Sequence, residues 1–232
     1  MESLEAELDR ARDLDVAALA DAIVEIGFEC TRCGACCKAE TCAGSDDGDG
    51  NAEPESHTAT VFPDEIRRVQ DAGDQEYDFR DVARPMPYGL EDGPEGPEGE
   101  TFEWALQTDD CGDCTFYSED ESGTGACTVH EDRPLICRTY PFSVALGGTS
   151  QPMGEAVDSA GMVRAHECEG LGRDISRAEA EELAAALKER AVREVEEAIA
   201  VRDAYEPVET GPGEVVVHDS EGQKRPDGTP LD

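Results

Sequence analysis

Four cysteines fall within eight residues, Cys30, Cys33, Cys36 and Cys37, in the run Phe28-Glu29-Cys30-Thr31-Arg32-Cys33-Gly34-Ala35-Cys36-Cys37. Two-residue gaps let a backbone curl so that successive sulfurs converge, which is why C-x2-C-x2-C runs hold iron–sulfur clusters and C-x2-C pairs hold zinc. Downstream, Cys111, Cys114, Cys127, Cys137 and Cys168 supply distant partners with which to close a site. Thiolates rather than thiols bind metal strongly, and nearby positive charge helps generate them. Arg32, Lys38, Arg133 and Arg138 place such charge beside Cys33, Cys37 and Cys137, unless each is taken up by one of the many carboxylates.

Adjacent residues in extended chain point their side chains apart, so Cys36 and Cys37 are not expected to share a tetrahedral ion without backbone distortion. The eight thiols other than Cys42 and Cys111 exceed the four that one ion or one cubane requires. Two sites, or one site and a redox-active pair, follow, although spacing alone does not assign cysteines to sites. Cys42 and His57 bracket a low-complexity loop, where an isolated ligand-type residue is more often a bystander. His130 and His166 lie near cysteines in sequence and could replace a thiolate, but surface histidines are the commoner case. Tyr140 and Phe142 read as shields of the site from water.

The composition frames this chemistry. Aromatic residues make up 5% of 232, so the apolar core is expected to be small and the cysteines to help hold it together. The 56 acidic residues against 19 basic ones give a net charge of -37, which opposes binding to nucleic acid or an anionic membrane. An acidic chain whose lysines are Lys38, Lys188 and Lys224 resembles the soluble proteins of extreme halophiles, where molar salt screens self-repulsion. The acidic, amphipathic start at 1–10 is unlike a secretory signal, and no stretch approaches a bilayer span. A cytoplasmic setting is expected, in which clustered thiols signal metal or redox chemistry rather than a disulfide framework.

The elements that must position the cysteines can be read in order. Leu4, Leu8 and Ala11 recur at helical spacing, and Leu19, Ile23 and Ile26 mark a second helix with Asp15 as its N-cap and Gly27 as its end. Residues 38–57 read as an exposed acidic insertion and 89–100 as a linker. Between them Val61–Val69 reads as extended chain turning into a helix at Pro63, with a short element through Tyr77, Phe79 and Val82. Phe102, Trp104 and Leu106 alternate as in a half-buried strand, and a hairpin is expected to carry Cys114 and Cys127 on its two arms. Pro134 opens a helical turn presenting Cys137, short strands follow over 143–146 and 153–163, and Cys168 sits in a glycine-flanked turn whose amides can donate to sulfur. Ser176-Arg177-Ala178-Glu179 is a capping box opening a helix with Leu183, Leu187, Val195 and Ile199 on one face to about Ala200. A strand over 214–218 and a polar tail complete the chain.

Five motifs occur in a recognisable order: Cys30-x2-Cys33-Gly34-x-Cys36-Cys37, then Val61-Phe62-Pro63-Asp64-Glu65-Ile66, then Cys114-x-Phe116 before Gly125-x-Cys127. Arg133-Pro134-x2-Cys137-Arg138-x-Tyr140-Pro141-Phe142 and Cys168-x-Gly170-x-Gly172 complete the series. Together they resemble the YkgJ-type CxxCxxCC cysteine-cluster family over residues 28–172. The resemblance implies a small α+β domain that chelates zinc or iron, often labelled an Fe–S-cluster oxidoreductase and related to a flagellin lysine methylase. It implies Cys30, Cys33, Cys36, Cys37, Cys114, Cys127, Cys137 and Cys168 as cofactor and metal ligands, with Cys42 and Cys111 as extras. The insertion at 38–57 and Glu169, where the family has proline, depart from its pattern.

The expected layout is therefore α+β, with short strands, flanking helices and long acidic loops: a helical segment over 1–27, the cysteine domain over 28–172, a helix over 173–204 and a tail over 205–232. The leading functional reading is one or two iron–sulfur clusters of 4Fe-4S type, serving electron transfer or an oxidoreductase reaction with a protein redox partner. The alternative is a structural zinc module. The methylase kinship adds a lysine-modifying enzyme, for which no G-x-G-x-x-G fingerprint is present.

Overall fold

A computed structural model of the chain describes residues 3–39, 56–72, 76–147, 154–158 and 161–231. Along them run α1 (Leu4–Asp13), α2 (Val16–Ile26), β1 (Thr60–Val61), α3 (Pro63–Gln70), α4 (Phe79–Val82), β2 (Ala83–Pro85), β3 (Glu91–Gly93), β4 (Gly96–Thr101) and β5 (Trp104–Leu106). Then come β6 (Tyr117–Glu119), β7 (Gly125–Cys127), α5 (Leu135–Thr139), β8 (Phe142–Val144), β9 (Glu155–Ala156), β10 (Val163–Ala165), α6 (Arg177–Ala204), β11 (Val215–Asp219) and β12 (Gly222–Lys224). The architecture is mixed α+β, and among the described residues no helix is long and apolar enough to cross a membrane. The chain divides into two compact units: residues 1–31 with 135–203, and residues 32–134 with 204–232. The division falls between Thr31 and Arg32, inside the first cysteine run.

The first unit is built on helices. Asp15 caps α2 by accepting from the Ala17 and Ala18 amides at 2.8 and 3.4 Å, and Gly27, at φ 75°, ends it. The capping box of α6 is formed at both ends, with Ser176 N donating to Glu179 Oε2 at 3.0 Å and Glu179 N to Ser176 Oγ at 3.2 Å. The buried face of α6 carries Ala180, Ala184, Leu187, Ala191 and Val195, packed with Leu8, Leu19, Ile23, Phe142 and Val163 in one apolar core. Leu183 and Ile199 flank that core only half-buried, and alanines hold the places between, which lets neighbouring helices approach closely. The antiparallel sheet β8–β10–β9 belongs to this unit.

The second unit is assembled from short ladders: β1–β5–β2, β12–β11–β4–β3 and β6–β7. Trp104, 1% exposed, lies at its centre, with its indole N–H on Asp219 Oδ2 at 2.8 Å and Phe79 edge-on at 4.8 Å. Lys224 neutralises the buried Asp219 at 2.8 Å and also reaches Glu221 at 2.8 Å, so the carboxylate is paired as burial demands.

Three expectations are corrected in this unit. Residues 89–100 form the β3–β4 hairpin rather than a linker, because β4 pairs in parallel with the apolar β11, whose backbone groups need partners. The strand expected over 214–218 is present as β11, and β12 pairs with it where a polar tail is expected. Phe102 lies outside β5 and is 47% exposed, while Trp104, Ala105 and Leu106 are all buried, since β5 is the central strand of its sheet and covered on both faces.

Candidate metal centre

The loop bearing Cys33, Cys36 and Cys37 is wound rather than extended. Arg32 has φ 59° and Gly34 φ 78°, and Cys37 N donates to Gly34 O at 2.8 Å, closing a turn over 35–37. That turn puts the Cys36 and Cys37 sulfurs 3.8 Å apart. The expectation that adjacent cysteines splay apart fails here because its premise, extended backbone, does not hold.

Three contacts fasten this loop to the strands that carry the next cysteines. Gly125 N donates to Arg32 O at 2.7 Å, and Cys114 N donates to Cys37 O at 2.8 Å. The Tyr117 ring lies against two glycines: a Cβ at Gly34 would stand 2.2 Å from its Oη, and one at Gly125 2.7 Å from its ring. Tyr117 pairs across the ladder with Cys127, donates from Oη to Glu119 at 2.7 Å, and carries Lys38 Nζ 5.2 Å above its ring. Lys38 is ion-paired to Glu119, so its charge goes to a carboxylate rather than to a thiol. Cys127 thus lies on a hairpin arm as expected, whereas Cys114 precedes the other arm and bridges Thr108.

The electrostatics of this group are graded. A hydrogen bond from Cys37, aided by the Arg133 guanidinium, pulls the Cys36 thiol down to about 7. Burial pushes Cys114 up to about 11 and raises Cys127 as well; the charge of Cys36 acts on both, so the three thiols are within electrostatic reach of one another. Arg133, anchored through its Nε on His130 O at 2.9 Å, favours the thiolate at Cys36 and at Cys127. Cys33 lies half-buried in the same loop.

The first unit holds the other three predicted ligands. Phe28 bridges Leu171, and Glu29 N donates to Gly170 O at 3.1 Å, which sets Cys30 beside the turn of Cys168. Gly170 N donates to Cys168 Sγ at 3.4 Å, the amide-to-sulfur bond expected of that turn. Cys137 lies in α5, and Tyr140, one turn on, donates to Glu167 O at 2.9 Å, tying α5 to the Cys168 segment.

Tyr140 is therefore a strap, and its ring meets His166 edge-on at 5.9 Å. His130 is exposed and contacts Glu131 at 3.2 Å. His57 donates from its backbone to Gly112 O at 2.8 Å, and burial lowers its imidazole below the ordinary histidine range. Cys111 is disulfide-bonded, unlike the other eight cysteines among the described residues, and Cys42 lies outside those residues.

Among the described residues, no three His, Cys, Asp or Glu side chains gather around one ligating point. The donor chemistry nevertheless suits a thiophilic metal. Two thiolates at about 2.3 Å from one tetrahedral ion stand about 3.8 Å apart, the separation of Cys36 and Cys37. Sequence reasoning missed Tyr117 and Glu119, which shape this site; the signal was Gly125, whose place in the Gly-x-Cys motif is set by the ring that lies on it.

No curated protein and no solved structure matches the chain. A family model does, over residues 29–169, more than half the chain, a span that includes Cys30, Cys33, Cys36, Cys37, Cys114, Cys127, Cys137 and Cys168. Its description is CxxCxxCC, "putative zinc- or iron-chelating domain". The chain belongs to the CxxCxxCC family.

Proposed function

We propose that this protein holds zinc or ferrous iron through thiolates, with Cys36, Cys37, Cys114 and Cys127 as one four-sulfur set. The observation that carries this reading is the 3.8 Å between the Cys36 and Cys37 sulfurs, which suits two ligands of one ion. Cubane thiolates each bind a different iron, so neighbouring sulfurs on one metal favour a single ion at this place. When bound, the ion would supply a charge centre that holds the thiols deprotonated. The chain's own residues prepare for it: Arg133 favours thiolate at Cys36 and Cys127, and the Tyr117–Glu119–Lys38 group holds the loop down.

For Cys30, Cys137 and Cys168, all carried by the first unit, an iron–sulfur cluster is the alternative reading. The amide-to-sulfur bond at Cys168 supports it, since such bonds tune cluster potential. A cluster there would bring electron transfer to a protein redox partner. Anaerobic purification followed by metal and acid-labile sulfide analysis tests both. Zinc or iron without sulfide supports the single-ion reading, iron with matching sulfide supports a cluster, and a metal-free protein from reducing buffer overturns both.

A further inference from the structure

Of the four thiols assigned to one ion, Cys36 is exposed, Cys37 and Cys127 are half-buried and Cys114 is buried, so an oxidant from solvent meets Cys36 first, and the nearest thiol to it is Cys37. Their sulfurs need to close from 3.8 Å to about 2.05 Å to bond. The turn that Cys37 N makes on Gly34 O already holds both side chains on one side of the backbone. Adjacent Cα atoms stand about 3.8 Å apart, below the 4.4 Å at which ordinary disulfides begin, so such a bond is strained and easily reduced.

We propose that Cys36 and Cys37 are a redox-modification site: a vicinal dithiol that hydrogen peroxide oxidises to a reversible disulfide. The step rests, for its consequence, on the metal reading above. Two thiols and one peroxide give one disulfide and two waters. The S–S bond forms as the O–O bond breaks, the sulfurs lose two electrons to peroxide, and the thiol protons leave in water. Where the pair is ligated, both thiolates are consumed, two protons come from solvent, and the ion loses half of its four-sulfur set. Because the bond is strained, a small dithiol restores the site.

The test uses the full chain, reduced and loaded with zinc, then treated with a slight excess of peroxide while a chromophoric chelator reports free zinc. Trypsin frees Cys33–Lys38, which lies between Arg32 and Lys38. The expected result is zinc release together with loss of two hydrogens from that peptide, both reversed by dithiothreitol. The mass loss should persist in Cys33→Ser and vanish in Cys37→Ser. Zinc release with a cross-link to the peptide bearing Cys114 or Cys127, or mass loss abolished in Cys33→Ser, overturns the assignment. If the reduced protein binds no zinc, the metal reading fails while the peptide mass still scores the dithiol. If zinc binds and the mass stays unchanged, the dithiol proposal fails alone.

Discussion

The two units that carry the cysteines hold themselves together by different means. In residues 1–31 with 135–203, one apolar core runs through α1, α2, α6 and the β8–β10–β9 sheet, and Cys30, Cys137 and Cys168 lie at segments tied to it by backbone and tyrosine hydrogen bonds. In residues 32–134 with 204–232, short ladders surround Trp104, and Cys33, Cys36 and Cys37 occupy a loop held by two glycine contacts and a few backbone bonds. The difference teaches where a metal would act as a folding element. A site built on loops gains most from an ion, because binding free energy there is folding free energy.

The largest expected effect follows from that contrast. Apparent binding energies of structural zinc reach on the order of 10 kcal/mol, so stripping metal with a chelator should abolish amide protection over 33–38 and 112–128. Protection along α6 should survive. Hydrogen exchange read by mass spectrometry decides the matter, and equal loss in both units would erase the distinction.

The reverse experiment strikes the other core. Leu187 is 1% exposed among the buried side chains of α6, so Leu187→Ala should cost about 2–5 kcal/mol. Metal content should stay at the wild-type level. Loss of metal in step with stability would mean that the cysteine groups depend on this core after all.

A smaller change tests the loop itself. Gly34→Ala forces an L-residue to φ 78° and sets a methyl 2.2 Å from Tyr117 Oη, at a cost of about 1–3 kcal/mol. Zinc affinity should fall by about tenfold or more, the equivalent of 1.4 kcal/mol, because the Cys36–Cys37 turn must shift. Gly34→Ala combined with Tyr117→Leu should recover part of that loss by removing the obstructing hydroxyl.

These contrasts were unequally legible in the sequence. The helices of the first unit announced themselves through side-chain caps and 3.6-residue spacing, down to Asp15 and the Ser176–Glu179 box. Their close packing did not, because it depends on Ala180, Ala184 and Ala191, residues that carry little hydrophobic signal. In the second unit, β3 and β4 were hidden in Gly-Pro-Glu repeats, since their strand state comes from pairing with β11 and not from propensity. Spacing and motif order singled out eight cysteines, and the family match spans all of them. Their division at Arg32 was not readable, and neither was the turn at Cys36–Cys37, which needs a positive φ at a non-glycine residue, Arg32.

Proton competition gives a milder lever on the loop site. The hydrogen bond from Cys37 holds the Cys36 thiol down at about 7, and burial pushes Cys114 up to about 11. As pH falls through 7 the Cys36 thiolate is protonated and zinc affinity should drop. At neutral pH binding must also expel the Cys114 proton, so affinity should keep rising with pH above that point. Titration calorimetry in buffers of different ionisation enthalpy counts the released protons, and a pH-independent affinity between 6 and 9 would contradict the assignment of these ligands.

The smallest effect concerns the acid side of the same unit. Arg67 grips Glu221 with both nitrogens, at 3.1 and 2.7 Å, and with Lys224 holds its carboxyl at about 2, well below the unfolded value. A depressed folded-state value stabilises the fold above the unfolded pKa, and that contribution is lost as pH falls from about 4.5 towards 2. Glu221 is 41% exposed, so screening limits the pair to about 0–1 kcal/mol. Glu221→Gln should therefore lower the urea midpoint slightly at pH 7, less in molar salt, and not at all near pH 2. The tryptophan fluorescence of Trp104 reports this unit directly. A deficit of equal size at pH 2 and pH 7 would show that the substitution acts through packing, and the charge pair would lose its part in the contrast between the units.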